Sequence, residues 1–298
     1  MKKISAKAYA KINLFLEVTS KREDGYHNIQ TIMQTIAIYD ELEIENINTD
    51  EIVFCCKNAP TVPSGEKNIV YKAARLLKDT FGIKEGLKIS LKKNIPAGAG
   101  LGGGSSDAAE TIKSFVKLFD IKDSKITRQK CLKIATTLGA DVPFFLTGST
   151  ALCEGIGDIV FPLKNLKKQH IILLNPNIEI PTHSVFRRLK FPLTKGGVIH
   201  KIAALISDGK FNKNSGFDVL FNRLEEFVFP YYPEILRMKT ILSQLGCASL
   251  MSGSGATVFG IADSQAHLEY VKSNLKNFPW KIWLTSSISK KSAANNLL

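Results

Sequence analysis

The sequence lacks any run of the 18 or more consecutive apolar residues that a membrane-spanning helix needs. It also lacks metal-ligand spacing. Its five cysteines, Cys55, Cys56, Cys131, Cys153 and Cys247, form no ligand pairs, and its five histidines are scattered. An odd set of unpatterned cysteines reads as free thiols in a reducing compartment. No Lys-Ser or Lys-Thr closes a glycine loop, which excludes a Walker A site, and the His-Arg-Asp and Asp-Phe-Gly signatures of a protein kinase are missing. Met1-Lys2-Lys3 begins like a secretory leader, but Lys7, Lys11 and Asn13 break up the apolar stretch that a leader requires. The expected location is therefore the cytoplasm. There is no internal repeat or low-complexity tract.

What is present is a chain of 298 residues, 44% hydrophobic and 22% charged, globular in composition and long enough for two domains. The formal net charge of +13 suits an anionic partner such as a nucleotide, a phosphorylated substrate, nucleic acid or a membrane surface. The excess is mostly scattered lysine, with short clusters at Lys164, Lys167 and Lys168 and at Lys290-Lys291, which reads as a solvated face. No interleaved aromatic and basic patch points to nucleic acid. The expected partner is a small molecule, not nucleic acid or a membrane.

The densest signal is the stretch Ile95-Pro96-Ala97-Gly98-Ala99-Gly100-Leu101-Gly102-Gly103-Gly104-Ser105-Ser106-Asp107. Leu87, Ile89 and Leu91 alternate before it as in a strand. Ala108, Ile112, Phe115, Val116 and Phe119 follow at helical spacing. Ser105, Ser106 and Asp107 are all N-cap types. A glycine loop running into a helix N-terminus presents unpartnered N–H groups and partial positive charge, a natural seat for phosphate. Two serine hydroxyls at its end could bond a phosphate or hold magnesium. Gly98, Gly100 and Gly103 also spell G-x-G-x-x-G, with Asp120 beyond, but a dinucleotide turn follows the first strand of its βαβ unit and this loop sits a third of the way along the chain.

Elsewhere, even positions from Ile4 to Val18 are apolar, which predicts a long strand or pair of strands with one face buried. Lys7, Tyr9, Lys11, Asn13 and Glu17 share the other face; lysines there are usually solvated, although Lys11 and Asn13 are neighbours in otherwise small and aliphatic company. Asp24-Gly25 signals a turn, with Tyr26 and His27 either surface residues or a flat platform for a heterocycle. Two or three strands are expected over 29–54, a helix over 68–81 stopped by Gly82, and a helix capped by Thr127 and ended by Gly139. Asp141, among Gly, Ala, Val, Pro and Phe, is either a capping residue or a base. A glycine-kinked strand is expected over 151–161, a buried strand over 170–175, a capped helix start at Pro181, helices over 197–207, 219–229 and 233–245, a second glycine loop at 252–260, a helix over 264–277 and a strand over 280–284. That second loop is either a tight hairpin or a backbone closing over phosphates.

The string Pro96 to Ala109 resembles the phosphate loop of the GHMP small-molecule kinases, and the N-terminal strand and the loop at 252–260 agree with that family in order and spacing. Ala10-Lys11-Ile12-Asn13-Leu14-Phe15-Leu16, Asp24-Gly25-Tyr26-His27 and Leu138-Gly139-Ala140-Asp141-Val142-Pro143 look like the branch that acts on a cytidine diphosphate-linked methylerythritol; the family's proline is replaced here by Tyr9. The resemblance implies an α+β, two-domain fold, divided at about 1–163 and 164–298, with a left-handed βαβ crossover in the N-terminal domain and a ferredoxin-like C-terminal domain. It implies ATP and Mg²⁺, and transfer of phosphate to the substrate's 2-hydroxyl in the non-mevalonate route to isoprenoid precursors. By the same resemblance Asp141 is the base and Lys11 its neighbour. Asn68, Ile69 and Val70 contact the adenine side, residues 96–106 hold the phosphates, and Ser106 contacts the metal. Tyr26 stacks on cytosine, His27 hydrogen-bonds it, and Asn13, Ile156, Pro181 and Phe186 line the substrate cleft. The expected state is a monomer or homodimer. The alternatives are another kinase of this family acting on a sugar, homoserine or a mevalonate-type alcohol, or a basic RNA-binding protein on the same fold.

Overall fold

The computed structural model describes residues 1–59, 62–189, 198–212 and 217–289. The expected Lys290-Lys291 cluster and the helix start at Gly197 lie outside these residues. Strands β1 (Lys3–Lys21) and β2 (His27–Ile47) form a long antiparallel hairpin. Its turn is tied by an Arg22–Asp24 ion pair and by Asp24 Oδ1 accepting from Tyr26 N at 3.1 Å. Strand β3 (Ile52–Lys57), helix α1 (Ile69–Phe81) and strand β4 (Gly86–Lys92) follow as a parallel βαβ unit. Asn68 caps α1 by accepting from Val70 N, and Gly82, at φ 67°, ends it.

Helix α2 (Gly103–Leu118) comes next, then α3 (Lys125–Leu138), α4 (Val142–Thr147) and the hairpin of β5 (Thr150–Glu154) and β6 (Ile159–Pro162). Two expectations shift here. Ser124, not Thr127, caps α3, its hydroxyl accepting from Thr127 N at 3.1 Å. The kinked strand at 151–161 is a true hairpin, because Gly155 and Gly157 take positive φ and reverse the chain.

The C-terminal half contains β7 (His170–Asn175), α5 (Thr182–Phe186), α6 (Val198–Ser207), β8 (Phe221–Asn222), α7 (Glu225–Val228), α8 (Pro233–Gln244), β9 (Ala248–Met251), β10 (Val258–Ala262), α9 (Gln265–Asn274) and β11 (Lys281–Ser286). Its sheet runs β11-β7-β10-β9, antiparallel throughout, the ferredoxin-like arrangement. The first sheet runs β3-β4-β2-β1-β8, with β5 on β2 and β6 on β5. The helix expected over 219–229 is thus a short parallel strand against β1 and one helical turn, because residues 221–222 are drawn into the first sheet.

The central hairpin of the first sheet is buried on both faces, between the helices and the second sheet. Met33, Leu42 and Ile44 pack with α1 and α2 residues such as Leu77, Ile112 and Phe115. Ile12, Leu14, Ile32 and Ile36 pack with Ile171, Leu173 and Phe259 of the second sheet. One-face burial therefore fails for mid-β1: Lys11 is 4% exposed and Asn13 1%. A lysine that deep needs partners.

Candidate active site

Strand β1 delivers Lys11 to the base of a cleft of about 630 Å³. Lys11 Nζ donates to Asn13 Oδ1 at 2.7 Å and to the Gly100 carbonyl at 3.1 Å, and stands 3.5 Å from Asp141 Oδ2. The Asn13 amide is oriented by its other end. Asn13 Nδ2 donates to Thr31 Oγ1 at 2.8 Å, and that hydroxyl spends its own proton on the Phe15 carbonyl at 2.6 Å. Only the amide oxygen is then left for the ammonium. The ammonium is held by a buried, directional network instead of by water.

The glycine stretch wraps one wall of the cleft. Gly102, at φ 68°, is the N-cap of α2 and offers no side chain to it. Ser105, Ser106 and Asp107, which read as N-cap types, lie inside the first turns instead. The first α2 bond to the preceding loop runs from Ser106 N to Gly102 O, so the N–H groups of residues 103–105 have no intrahelical partner and are left for an anion. The two serines then separate. Ser105 lines the cleft, whereas Ser106 is buried and donates its hydroxyl to the Tyr9 carbonyl at 2.6 Å.

Asp141 precedes α4, whose Val142, Phe144 and Leu146 are buried and fix its place. Its side chain makes no capping hydrogen bond, which removes the capping alternative. Its carboxylate is 30% exposed to the cleft. A Cβ on Gly157 would lie 3.7 Å from Asp141 Oδ1, so the β5–β6 turn leaves room beside the second oxygen.

The other expected residues sort by placement. Asn13, Asn68, Ile69, Ile156 and Phe186 line the cleft, as do Pro96, Ala97, Gly98, Ala99, Gly100, Gly102, Gly103 and Gly104. Val70 and Leu101 are buried in the cores, though the Leu101 carbonyl accepts from Lys11 N at 3.0 Å. His27 stands beside Phe186, ring centroids 5.3 Å apart, with its imidazole held below the usual range by partial burial and then by the charge of Lys21. Tyr26 is 61% exposed beside it. Pro181 precedes α5, whose Thr182 reaches the cleft wall.

Lys93, which the sequence did not single out, and Asp107, which it read only as an N-cap type, also line the cleft. Lys93 Nζ bonds Asp107 Oδ2 at 2.7 Å and also Asp40, whose Oδ1 accepts from Asn94 N at 2.5 Å and Ile95 N at 2.8 Å. This buried triad staples the entry of the glycine stretch to α2. Burial drives the Asp107 carboxyl well above its ordinary value, Lys93 counteracts, and Asp40 adds to the rise. Burial alone would lower Lys93, but the two carboxylates outweigh it and raise it. The signal available in the sequence was weak, since Lys92-Lys93 at a strand end reads as solvated.

The loop at 252–257 joins β9 to β10 as a hairpin and packs on the glycine loop like a lid. Ser252 Oγ donates to the Gly100 carbonyl at 2.9 Å, and a Cβ on Gly100 would lie 2.1 Å from the Ser252 carbonyl oxygen. Only glycine fits there. Among the described residues no cluster of three or more His, Cys, Asp or Glu could hold a metal, and no helix is long and apolar enough to cross a membrane.

Comparison with known proteins agrees along the chain. The family description "GHMP kinases N terminal domain" matches residues 68–149, and "GHMP kinases C terminal" matches 204–281. The chain is 40% identical over 283 residues to a 4-diphosphocytidyl-2-C-methyl-D-erythritol kinase of Caldicellulosiruptor bescii, covering 94% of this chain and 97% of that one. It is 38% identical over 285 residues to the like-named protein of Clostridium botulinum, covering 95% and 99%. Among solved structures, a 4-(cytidine 5'-diphospho)-2C-methyl-D-erythritol kinase superposes with a TM-score of 0.80 at 32% identity, covering 95% and 99%. A homoserine kinase of Cytophaga hutchinsonii superposes with a TM-score of 0.77 at 16% identity, covering 97% and 95%, a likeness of fold alone.

Proposed function

This chain belongs to the GHMP kinases, in the family of the 4-diphosphocytidyl-2-C-methyl-D-erythritol kinases, and is an ATP-dependent small-molecule kinase; from that premise we propose that it phosphorylates the 2-hydroxyl of 4-diphosphocytidyl-2-C-methyl-D-erythritol in the non-mevalonate route to isoprenoid precursors. The observation that carries the mechanism is the 3.5 Å approach of Lys11 Nζ to Asp141 Oδ2 beside the phosphate loop. Asp141 takes the proton of the substrate hydroxyl as its oxygen attacks the γ-phosphorus of ATP. The bond from that phosphorus to the bridging oxygen of ADP breaks. Such proton transfer is worth roughly 10²–10⁴-fold. Lys11, locked by Asn13 and the Gly100 carbonyl, stabilises charge on the attacking oxygen and the phosphoryl group.

The N–H groups of residues 103–105 and the glycine backbone cradle the phosphates, with Asn68 and Ile69 on the adenine side. His27, Phe186 and exposed Tyr26 form the cytosine platform at the rim, with the imidazole held below its usual range by partial burial and then by Lys21. Mg²⁺ bound with the triphosphate would neutralise part of its charge. It keeps most ligands as phosphate and water oxygens and needs only one or two from protein. Ser105, on the cleft, is the residue that would hold it. Ser106 is a poorer one than the sequence implied, since it is buried and does not line the cleft.

The test is ADP release with ATP, Mg²⁺ and 4-diphosphocytidyl-2-C-methyl-D-erythritol, for wild type and Asp141→Asn. Substrate-dependent turnover that falls about 10²–10⁴-fold in the variant is the expected result. Turnover indifferent to the substitution overturns the base. A folded wild type that binds ATP but turns over only with a sugar, homoserine or a mevalonate-type alcohol overturns the substrate.

A further inference from the structure

In segment 222–225, Leu224 lines the cleft, while Asn222 and Glu225 hold the lid loop in place. Asn222 is 2% exposed. Its Nδ2 donates twice, to the Met251 carbonyl at 2.7 Å and the Gly253 carbonyl at 2.8 Å, while its Oδ1 accepts from Leu224 N at 3.0 Å. Both amide hydrogens and the oxygen are therefore used, which fixes the side chain uniquely. Glu225 adds a third tie, Oε1 accepting from Met251 N at 2.9 Å.

The other side of the same segment is anchored to the strand that carries Lys11. Residues 221–222 pair with Phe15 and Leu16, Arg223 N donates to the Leu16 carbonyl at 2.8 Å, and the Arg223 guanidinium grips Glu17 through two bonds of 2.7 and 2.8 Å. The lid loop that Asn222 clamps is in turn pressed on the reacting centre. A Cβ on Gly253 would lie 3.3 Å from the Gly100 carbonyl oxygen, 3.4 Å from Lys11 Nζ and 3.5 Å from Asn13 Oδ1.

We propose that Asn222 is a positioning residue for phosphoryl transfer: by clamping the carbonyls of Met251 and Gly253 it sets the lid loop against Gly100 and so fixes where the Lys11 ammonium sits. The inference rests on the reading of Lys11 and Asp141 as the catalytic pair. A carbonyl loop released by even about 1 Å would let the ammonium drift, and displacement of that size can cost about 10²-fold in rate. Leu224 lines the cleft but Asn222 itself does not, so ground-state binding should survive loss of the Asn222 side chain.

The experiment measures kcat and both KM values for wild type, Asn222→Ala and Asn222→Asp, with thermal midpoints for each. The Asn222→Asp change keeps the shape and the acceptor for Leu224 N but cannot donate to two carbonyls, so it carries the test if Asn222→Ala does not fold. The expected result is a kcat about 10²-fold lower with KM for ATP and alcohol within about threefold of wild type. A folded variant with unchanged kcat overturns the inference, and so does a change confined to KM. A wild type without turnover on the cytidine diphosphate substrate overturns the proposed function instead, so the two failures are distinguishable.

Discussion

Two lysine–aspartate clusters flank the same glycine loop, and they are built in opposite ways. Both lysines are buried, Lys11 with 5% of its side chain exposed and Lys93 with 8%. Their carboxylates differ. Asp141 is 30% exposed, 3.5 Å from its lysine and uncommitted to any cap. Asp40 is fully buried and accepts from Lys93 and from the backbone N–H groups of Asn94 and Ile95. A buried carboxylate with both oxygens engaged holds structure, and one that is reachable and loosely paired can take a proton. Identity of residue type therefore says little; saturation of the acceptor decides.

The largest expected effect that would break this contrast is on rate. Asp141→Asn should cost about 10²–10⁴-fold in kcat with no fall in thermal midpoint, and a large fall in midpoint would move Asp141 into the structural class. Next, Asp40→Ala should lower stability by about 3–5 kcal/mol in urea unfolding, because it strands two N–H groups and half of the Lys93 partnership. A loss under about 1 kcal/mol would deny the staple its role.

Asp107→Asn sharpens the contrast within the triad. Its carboxyl lies well above the ordinary 3.8 in the folded protein because burial penalises the charge. The folded state then holds a proton that the unfolded state releases. Stability from this group is fully present below about pH 3.8 and is lost as pH rises toward the folded value. The asparagine variant, which cannot ionise, should gain on wild type as pH rises from 4 to 7 and stay within about 1 kcal/mol of it at the lower end. A gap that narrows with rising pH would reverse the sign. The smallest effect concerns the thiols. Cys55 is exposed, whereas burial pushes the Cys131 thiol up to about 11 and raises buried Cys153 further. A thiol reagent on the native protein should label Cys55 and leave Cys131 and Cys153 unmodified until unfolding.

Local signals reached the structure largely unaltered. The cap at Asn68, the stop at Gly82 and the strand before the glycine loop follow from residue type and spacing, since each depends on neighbours a few positions away. Signals that depended on competition between neighbours did worse. Thr127 and Ser124 are both able to cap α3, and the backbone preferred the earlier one. Residues 219–229 have helical spacing, but pairing with β1 offered Phe221 and Asn222 a sheet edge and broke the helix. Ser105 and Ser106 are chemically equivalent in sequence, and rotation about the helix axis sends one to the cleft and the other to Tyr9.

The sequence by itself determined a glycine loop running into a helix N-terminus, an alternating N-terminal strand, the residue types available to a kinase, and, through resemblance, the family. Tertiary structure alone decided that Lys11 meets Asp141, that Lys93 does not serve the same end, and that Asn222 reaches the lid loop. Those facts rest on burial and on which acceptors are already taken. Both quantities are set by chain segments remote in sequence and brought together only when the helices and the second sheet close on the central hairpin.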